Sequence, residues 1–186
     1  MGLLDQRMKK WLVAVVLGLL CGFGAATAHA RYEGQIVDAE TKEPIEGVVV
    51  FMDWQQAILD HGHEFRDAFE TLTDKEGRFS LPRYWSWNPW RWLTTESFVT
   101  IFKSGYEPIK GSRWEWMLKH EWGAPKGSIV WKIEDGRPVI LLRKIDDLQK
   151  REGLLGFVGP GGDVPAEKSV LLRREKKKEH EIIFPK

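Results

Sequence analysis

The chain has 186 residues, and its 28 Lys and Arg nearly balance its 27 Asp and Glu. This length suits one domain of ordinary size with appendages. The charge balance argues against nucleic acid as the partner of the main domain, because neutralising phosphates needs a surplus of Lys and Arg. The only cysteine is Cys21, so residues 31–186 can form neither a disulfide nor a thiolate metal site.

Residues 1–30 have the pattern of a secretory signal peptide. The basic segment RMKK precedes an apolar run, WLVAVVLGLLCGFGAA, and a small-residue sequence, AHA. This pattern predicts cleavage after Ala30, a secreted or periplasmic location, and no stable membrane span once the segment is removed. Two alternatives stay open. One is a retained N-terminal anchor, and the other is a lipoprotein signal ending at Cys21, which Leu20 disfavours because a small residue is needed there.

Short β-branched and aromatic runs separated by turn residues predict a series of strands between residues 31 and 145. They cover residues 32–37, 48–52, 71–73, 78–81, 98–102, 129–133 and 139–142. The sequence DKEG, residues 74–77, is predicted as a four-residue hairpin loop. About seven short strands at this spacing predict an all-β, antiparallel β-sandwich.

Three stretches between these strands are longer than hairpin loops and are interpreted as helical or irregular insertions. Residues 54–70 have room for a short helix interrupted at Gly62. Residues 83–97 contain the tryptophan-rich sequence YWSWNPWRW, and residues 107–127 add three more tryptophans.

Residues 146–186 differ in character from the rest of the chain. The Gly- and Pro-rich sequence GLLGFVGPGGDVP predicts a linker, and the basic run RREKKKEH that follows predicts a charged, flexible C-terminal tail. Glu175 and Glu179 interrupt the basic run. Their charges argue against an anionic partner and favour a solvated helix or a disordered tail.

Three motifs in order resemble the carboxypeptidase regulatory-like (transthyretin-like) β-sandwich domain family. They are GQIVDAETKEPIEGVVVF from residue 34, TDKEGRF from residue 73 and IFKSGYEP from residue 101. The resemblance covers residues 31–110 directly and implies an Ig-like or transthyretin-like sandwich over residues 31–145. Its core would be filled by Ile36, Val48, Val50, Phe79, Phe98 or Val99, Ile101 and Tyr106.

The resemblance implies a module more than an enzyme. Members of the family are accessory domains beside carboxypeptidase catalytic domains, surface or periplasmic binding and assembly modules, and domains next to the plug of outer-membrane transporters. The hydrolases of the wider fold end in Tyr-Arg-Gly-Ser beside active-site histidines, whereas this sequence ends in IFPK. We therefore expect a non-enzymatic binding or envelope-assembly module without catalytic residues.

The tryptophan-rich sequence is the predicted contact region of this module. Aromatic faces stack on sugar rings and anchor protein interfaces, and an adjacent Arg adds hydrogen bonds or cation–π contacts. The candidate residues for binding a carbohydrate or an envelope protein are Tyr84, Trp85, Trp87, Trp90, Arg91 and Trp92. Membrane contact is a further interpretation. The simplest is packing against Trp114, Trp116, Trp122 and Trp131, with one or two rings left exposed.

The sequence DHGHE, residues 60–64, is the second candidate site. His61, His63 and Glu64 are ligand types for a divalent metal such as zinc, with Asp60 or His120 completing the set. His61 and Glu64 also match the His-x-x-Glu half-motif of zinc carboxypeptidases. The alternative function is therefore a metal-binding protein or a metal-dependent hydrolase, and the simpler interpretation is a solvated polar loop that needs no cofactor.

Overall fold

The computed structural model describes residues 31–58, 62–84, 95–120, 126, 128–131, 137–161 and 163–185. Eight strands are formed by these residues: β1 (Arg31–Asp38), β2 (Val49–Ile58), β3 (Gly62–Leu72), β4 (Arg78–Pro82), β5 (Thr95–Phe102), β6 (Ile109–Ser112), β7 (Ile129–Trp131) and β8 (Pro138–Leu142). The helices are α1 (Trp114–His120), α2 (Leu148–Leu155), a short 3₁₀ helix (Ala166–Lys168) and α3 (Val170–Ile183). The predicted signal peptide lies outside the described residues.

The strands form two four-stranded sheets. The order in the first sheet is β4-β1-β8-β7, and the order in the second sheet is β3-β2-β5-β6. All three pairs of the second sheet are antiparallel. In the first sheet β7 and β8 are antiparallel, as predicted, but β1 runs parallel to β8. The coarse prediction of an all-β sandwich is therefore confirmed, whereas the prediction that every pair is antiparallel is wrong.

The main core contains most of the predicted core residues. Ile36, Val48, Val50, Phe79, Val99 and Ile101 are all at most 5% exposed and belong to one hydrophobic cluster, against which Tyr106 packs. Of the alternatives Phe98 and Val99, Val99 is the buried one. Alternation along each strand explains this choice, because neighbouring side chains leave a strand on opposite faces.

The loop at residues 74–77 joins the two sheets and does not close a hairpin, so that prediction is wrong. Thr73 Oγ1 donates to the carbonyl of Ile45 at 2.6 Å and accepts from Val48 N–H at 2.9 Å. The carbonyl of Gly77 accepts from Ile36 N–H at 2.8 Å. The chain therefore leaves this corner beside β1, and β4 enters the other sheet instead of returning along β3.

Residues 54–70 form no helix in their described part. They lie in β2 and β3, which pair antiparallel over ten positions from Val49 opposite Leu72 to Ile58 opposite Gly62. Asp67 pairs with Trp54 and Phe65 pairs with Gln55, so Arg66 is an extra residue, a β-bulge. The insertion is thus an extension of the antiparallel sheet.

Residues 146–185 are neither a linker nor a flexible tail in the described structure. The N-terminus of α2 is capped by Asp147, whose side chain accepts from Gln149 N–H and Lys150 N–H. Helix α3 then covers the outer face of the antiparallel sheet, the face that points away from the main core. A second hydrophobic cluster forms there from Val49, Phe51, Ala68, Phe102, Val158, Val164 and Leu172. A sheet that is apolar on both faces needs such a second layer.

Candidate functional site

The motif residues of the family resemblance make structural contacts. Asp38 Oδ1 accepts from the backbone N–H groups of Glu40 and Thr41, and Asp38 Oδ2 accepts from the Tyr106 hydroxyl at 3.2 Å. Burial raises the pKa of Asp38, but these hydrogen bonds outweigh it and the net pKa is lowered. The first and third motifs therefore meet at one hydrogen bond that joins β1 to the turn after β5.

An aromatic cluster lies at the end of the sandwich from which the tryptophan-rich sequence departs. Trp54 from β2 is 3% exposed and stacks on Tyr84, with ring centroids 5.9 Å apart and planes 23° apart. Phe69 from β3 meets the edge of Trp54 at 5.6 Å. Tyr32 from β1 contacts both Trp54 and Trp114, at 6.1 and 5.9 Å. Strands of both sheets and helix α1 thus contribute to one ring cluster.

Tyr84 is the one predicted binding residue that falls within the described residues, and it is half-buried against this cluster. The preceding residue, Arg83, places its guanidinium carbon 5.2 Å from the centre of the Tyr32 ring, a cation–π geometry. The other five candidates, Trp85, Trp87, Trp90, Arg91 and Trp92, lie outside the described residues, and their role stays a prediction.

Among the tryptophans predicted to pack, Trp114 is 5% exposed and contacts the rings of Tyr32 and Phe79. Trp114 is therefore a core residue, and its packing against the tryptophan-rich sequence stays a prediction because residues 85–92 lie outside the described residues. Trp122 and the side chains of Trp116 and Trp131 lie outside the described structure.

The described part of the predicted metal site does not converge. His63 and Glu64 are consecutive residues of β3, so their side chains leave the sheet on opposite faces. The Glu64 carboxylate accepts two hydrogen bonds from Arg66, at 2.9 and 2.6 Å. His63 Nε2 lies 3.8 Å from a carboxylate oxygen of Glu96. His61 and the side chain of His120 are outside the described residues, within which no three His, Cys, Asp or Glu residues form a metal-binding group.

Sequence reasoning missed a buried polar pair on the outer face of β2. Asp53 is 1% exposed, and its Oδ2 accepts from Gln55 Nε2 at 2.5 Å. Burial raises the pKa of Asp53 to about 6, against a lowering by the Gln55 hydrogen bond and the charge of Lys110. Gly161 closes over this pair, since a Cβ there would lie 2.7 Å from Gln55 Nε2. Gly161, which belongs to the predicted linker, therefore covers a buried carboxyl group.

A second buried carboxylate ties the C-terminal helices to the sandwich. Glu179 is 3% exposed and accepts from Arg151 at 2.7 and 2.6 Å, from the Ser104 hydroxyl at 2.6 Å and from Gly105 N–H at 3.1 Å. Burial raises the pKa of Glu179, but these donors outweigh it and the net pKa is lowered. The network joins α2, α3 and the turn after β5.

Within the described ranges, no helix is long and apolar enough to cross a membrane. No family model matches the chain, and no curated protein matches it. Among solved structures, the chain is similar to the pilus adhesin RrgA from Streptococcus pneumoniae, with 11% identity and a TM-score of 0.37, over 63% of this chain and 15% of the adhesin. It is also similar to a 9R-lipoxygenase from Cyanothece, with 17% identity and a TM-score of 0.22, over 45% of this chain and 13% of the enzyme. Likenesses of this size assign neither a fold family nor a function.

Proposed function

We propose that the protein is a secreted or periplasmic, non-enzymatic binding module with a carboxypeptidase regulatory-like (transthyretin-like) β-sandwich. Its contact region is the sequence YWSWNPWRW, and its partner is a carbohydrate or an envelope protein. The observation that carries this proposal is the aromatic cluster around Trp54, because it anchors the start of that sequence to a rigid, buried ring.

The finer fold assignment is supported by what the motif residues do. Thr73, Gly77, Asp38 and Tyr106 come from the three motifs of the resemblance, and each makes a contact that fixes a turn against a strand. Contacts of this kind are a physical reason for those residue types at that spacing. These contacts support a family fold and require no activity from the motif residues.

The position of the contact region supports a binding role. Residues 85–94 connect β4 of the mixed sheet to β5 of the antiparallel sheet. Loops held at both ends by a rigid sandwich are common places for binding residues. This connection carries four tryptophans interleaved with Ser, Asn and Arg, a combination that offers flat faces beside hydrogen-bond donors.

The proposal is tested by capture with a tryptophan variant. W85A/W87A/W90A is compared with the wild type on an array of glycans and in a pull-down from an envelope-protein extract. The two arms separate a carbohydrate from a protein partner. We expect the variant to lose at least about ten-fold in capture, because aromatic anchors carry much of the affinity of such interfaces.

F157A is the matched control, because Phe157 is an exposed aromatic residue, 66% accessible, in the segment after α2. It should bind like the wild type. Far-ultraviolet circular dichroism and thermal melting establish that all three proteins share one fold. Equal capture by the wild type and the tryptophan variant would overturn the proposal.

A further inference from the structure

Helix α3 has one face on the sandwich and one face in solvent. Leu172 and Glu179 are 0% and 3% exposed, and because they are two turns apart they lie on the same side of the helix. Arg174, Lys177 and Glu181 lie on the opposite side and are exposed. The antiparallel sheet already covers the apolar side of the helix, so the exposed side is free to meet another surface.

The exposed side of α3 is strongly basic. We call its four exposed cations the basic face: Arg173, Arg174, Lys177 and Lys178. Lys177 and Lys178 approach Glu181 and Glu175 at 3.8 and 3.5 Å. Such ion pairs are weak because the cations remain solvated, and they leave the charges available to a partner.

The two glutamates that interrupt the basic run in the sequence are turned towards the protein. Glu179 binds Arg151 and the turn after β5. Glu175 has a side chain only 15% exposed, and its Oε1 accepts from Ser104 N–H at 2.9 Å. Glu181 is therefore the one fully exposed carboxylate of α3 that accompanies the basic face. Because Glu175 and Glu179 accept hydrogen bonds from the sandwich, they oppose an anionic partner less than carboxylates pointing into solvent would.

Exposed apolar side chains border the basic face. Val170, Ile182 and Phe184, at the two ends of α3, are 46%, 45% and 44% exposed, and Phe157 is 66% exposed. The Phe157 segment runs beside α3, because the next residue accepts from Lys176 Nζ through its carbonyl at 2.6 Å. Cations beside exposed Phe and Ile match a lipid surface, where headgroups bind the charges and the acyl boundary accepts the apolar side chains.

We propose that the basic face and its apolar border dock the protein peripherally on an anionic lipid surface. The proposal is independent of the tryptophan-rich contact region, because none of the residues that carry it belongs to that sequence. We expect docking to depend mainly on electrostatic attraction and therefore to weaken as salt is added. The screening length falls from about 30 Å at 0.01 M salt to about 8 Å at 0.15 M.

The test is flotation with vesicles of phosphatidylcholine alone and of phosphatidylcholine mixed with phosphatidylglycerol. We expect binding to the anionic vesicles that falls with salt, and little binding to the neutral ones. The N-terminal segment carries basic residues of its own and is the same in the wild type and in every variant. The comparison between these proteins therefore isolates docking by the basic face.

The variant R173A/R174A/K177A/K178A removes the basic face and should weaken binding to anionic vesicles by about 100-fold or more at low salt. K75A/R78A/K119A/K126A removes as many exposed cations from other elements and should bind like the wild type. F157A/F184A keeps every charge and should weaken binding less while preserving its salt dependence. Thermal melting establishes that each variant is folded.

Two results of the vesicle experiments would overturn the proposal, and a nucleic-acid probe supplies a third. One is equal binding of the wild type to neutral and anionic vesicles. The other is an equal loss in the two charge variants, because net charge and not the basic face would then govern binding. A duplex DNA probe that binds while the anionic vesicles do not would assign the face to nucleic acid and overturn the lipid assignment.

Discussion

At Gly77 the backbone has a φ of +70°, and the Cβ of an alanine would lie 2.3 Å from the carbonyl oxygen of Ile36. We expect G77A to lower the free energy of unfolding by at least about 2 kcal/mol, because a left-handed conformation and a clash with backbone act together. G105A is the control. Gly105 has a φ of +85° but no atom within 4 Å of the added Cβ, so only the conformational cost of about 1 kcal/mol applies.

Urea unfolding of the two glycine variants measures this difference. Equal losses in G77A and G105A would show that the close approach to Ile36 contributes nothing, and that only the backbone conformation matters at this corner.

Asp53 gives the protein a stability that depends on pH. Its pKa is about 6 in the folded protein, against 3.8 for an ordinary Asp, because burial disfavours the charged form. The folded state therefore holds the proton more tightly than the unfolded state between about pH 4 and pH 6. Stability from this group is present below about pH 4 and is lost as the pH rises through about 6.

The variant D53N cannot ionise and keeps a carbonyl that can accept from Gln55. Relative to the wild type, D53N should gain on the order of 3 kcal/mol between about pH 4 and pH 7, since a tenfold change in proton affinity corresponds to about 1.4 kcal/mol. Urea unfolding across this pH range measures the free energy of unfolding of both proteins. The other titrating groups contribute equally to the two values, so they cancel in the difference. Parallel stability profiles for both proteins would contradict the prediction.

At the level of single residues, the sequence predicts those properties that depend on neighbouring residues in the chain. The positive φ of Gly77 and the burial of Ile36, Val50 and Ile101 follow from turn and strand patterns. The burial of Asp53 does not, because the chain that covers it lies more than a hundred residues later, around Gly161. A carboxyl group that ends an apolar run gives no local sign that a distant loop will exclude water from it.

Glu179 is one of several groups that attach the C-terminal helices to the sandwich, and its contribution can be tested at the scale of elements. E179A removes the acceptor for Arg151, Ser104 and Gly105 and leaves a largely buried guanidinium without its partner. Breaking a buried pair in this way costs about 3–5 kcal/mol. We expect faster amide hydrogen exchange in α2 and α3, with the core strands β2 and β5 remaining protected.

E181A is the control for this experiment, since Glu181 lies two residues away on the same helix with its side chain 64% exposed. It should leave exchange in both helices unchanged. Acceleration of equal size in the two variants would mean that the effect comes from removing a carboxylate anywhere on α3 and not from the contacts of Glu179 with Arg151, Ser104 and Gly105. Acceleration across all eight strands would mean that the helices and the sandwich unfold as one unit.

The errors in predicting elements have physical causes. Arg66 is an extra residue in β3, so Phe65 and Ala68 share the outer face although they are three apart, while Phe69 faces the main core. A bulge thus produces a spacing that imitates a helix. For α3, polar composition predicts a solvated segment, yet Leu172 and Leu171 pack against the sheet where it presents Val49 and Phe51.

Across the whole molecule, the fold class follows from strand spacing, but the parallel pairing of β1 with β8 does not. Its partners Gln35 and Val139 are separated by more than a hundred residues, and no turn sequence links them. Pairings of this kind depend on the packing of the complete sandwich. The same packing brings β1, the first strand, into the middle of its sheet, between β4 and β8.

The central position of β1 bears on the predicted cleavage of the signal peptide after Ala30. β1 begins at Arg31, and Tyr32 is already 8% exposed in the main core. Cleavage after Ala30 would therefore release a complete β1, whereas cleavage even two residues later would remove Tyr32 from the aromatic cluster.

We expect intact-mass measurement of the protein recovered from the periplasm or medium to give a chain that starts at Arg31. The variant A28D/A30D, in which the small-residue sequence is lost, should retain residues 1–30 and remain cell-associated. A wild-type mass that includes residues 1–30 would instead favour a retained anchor.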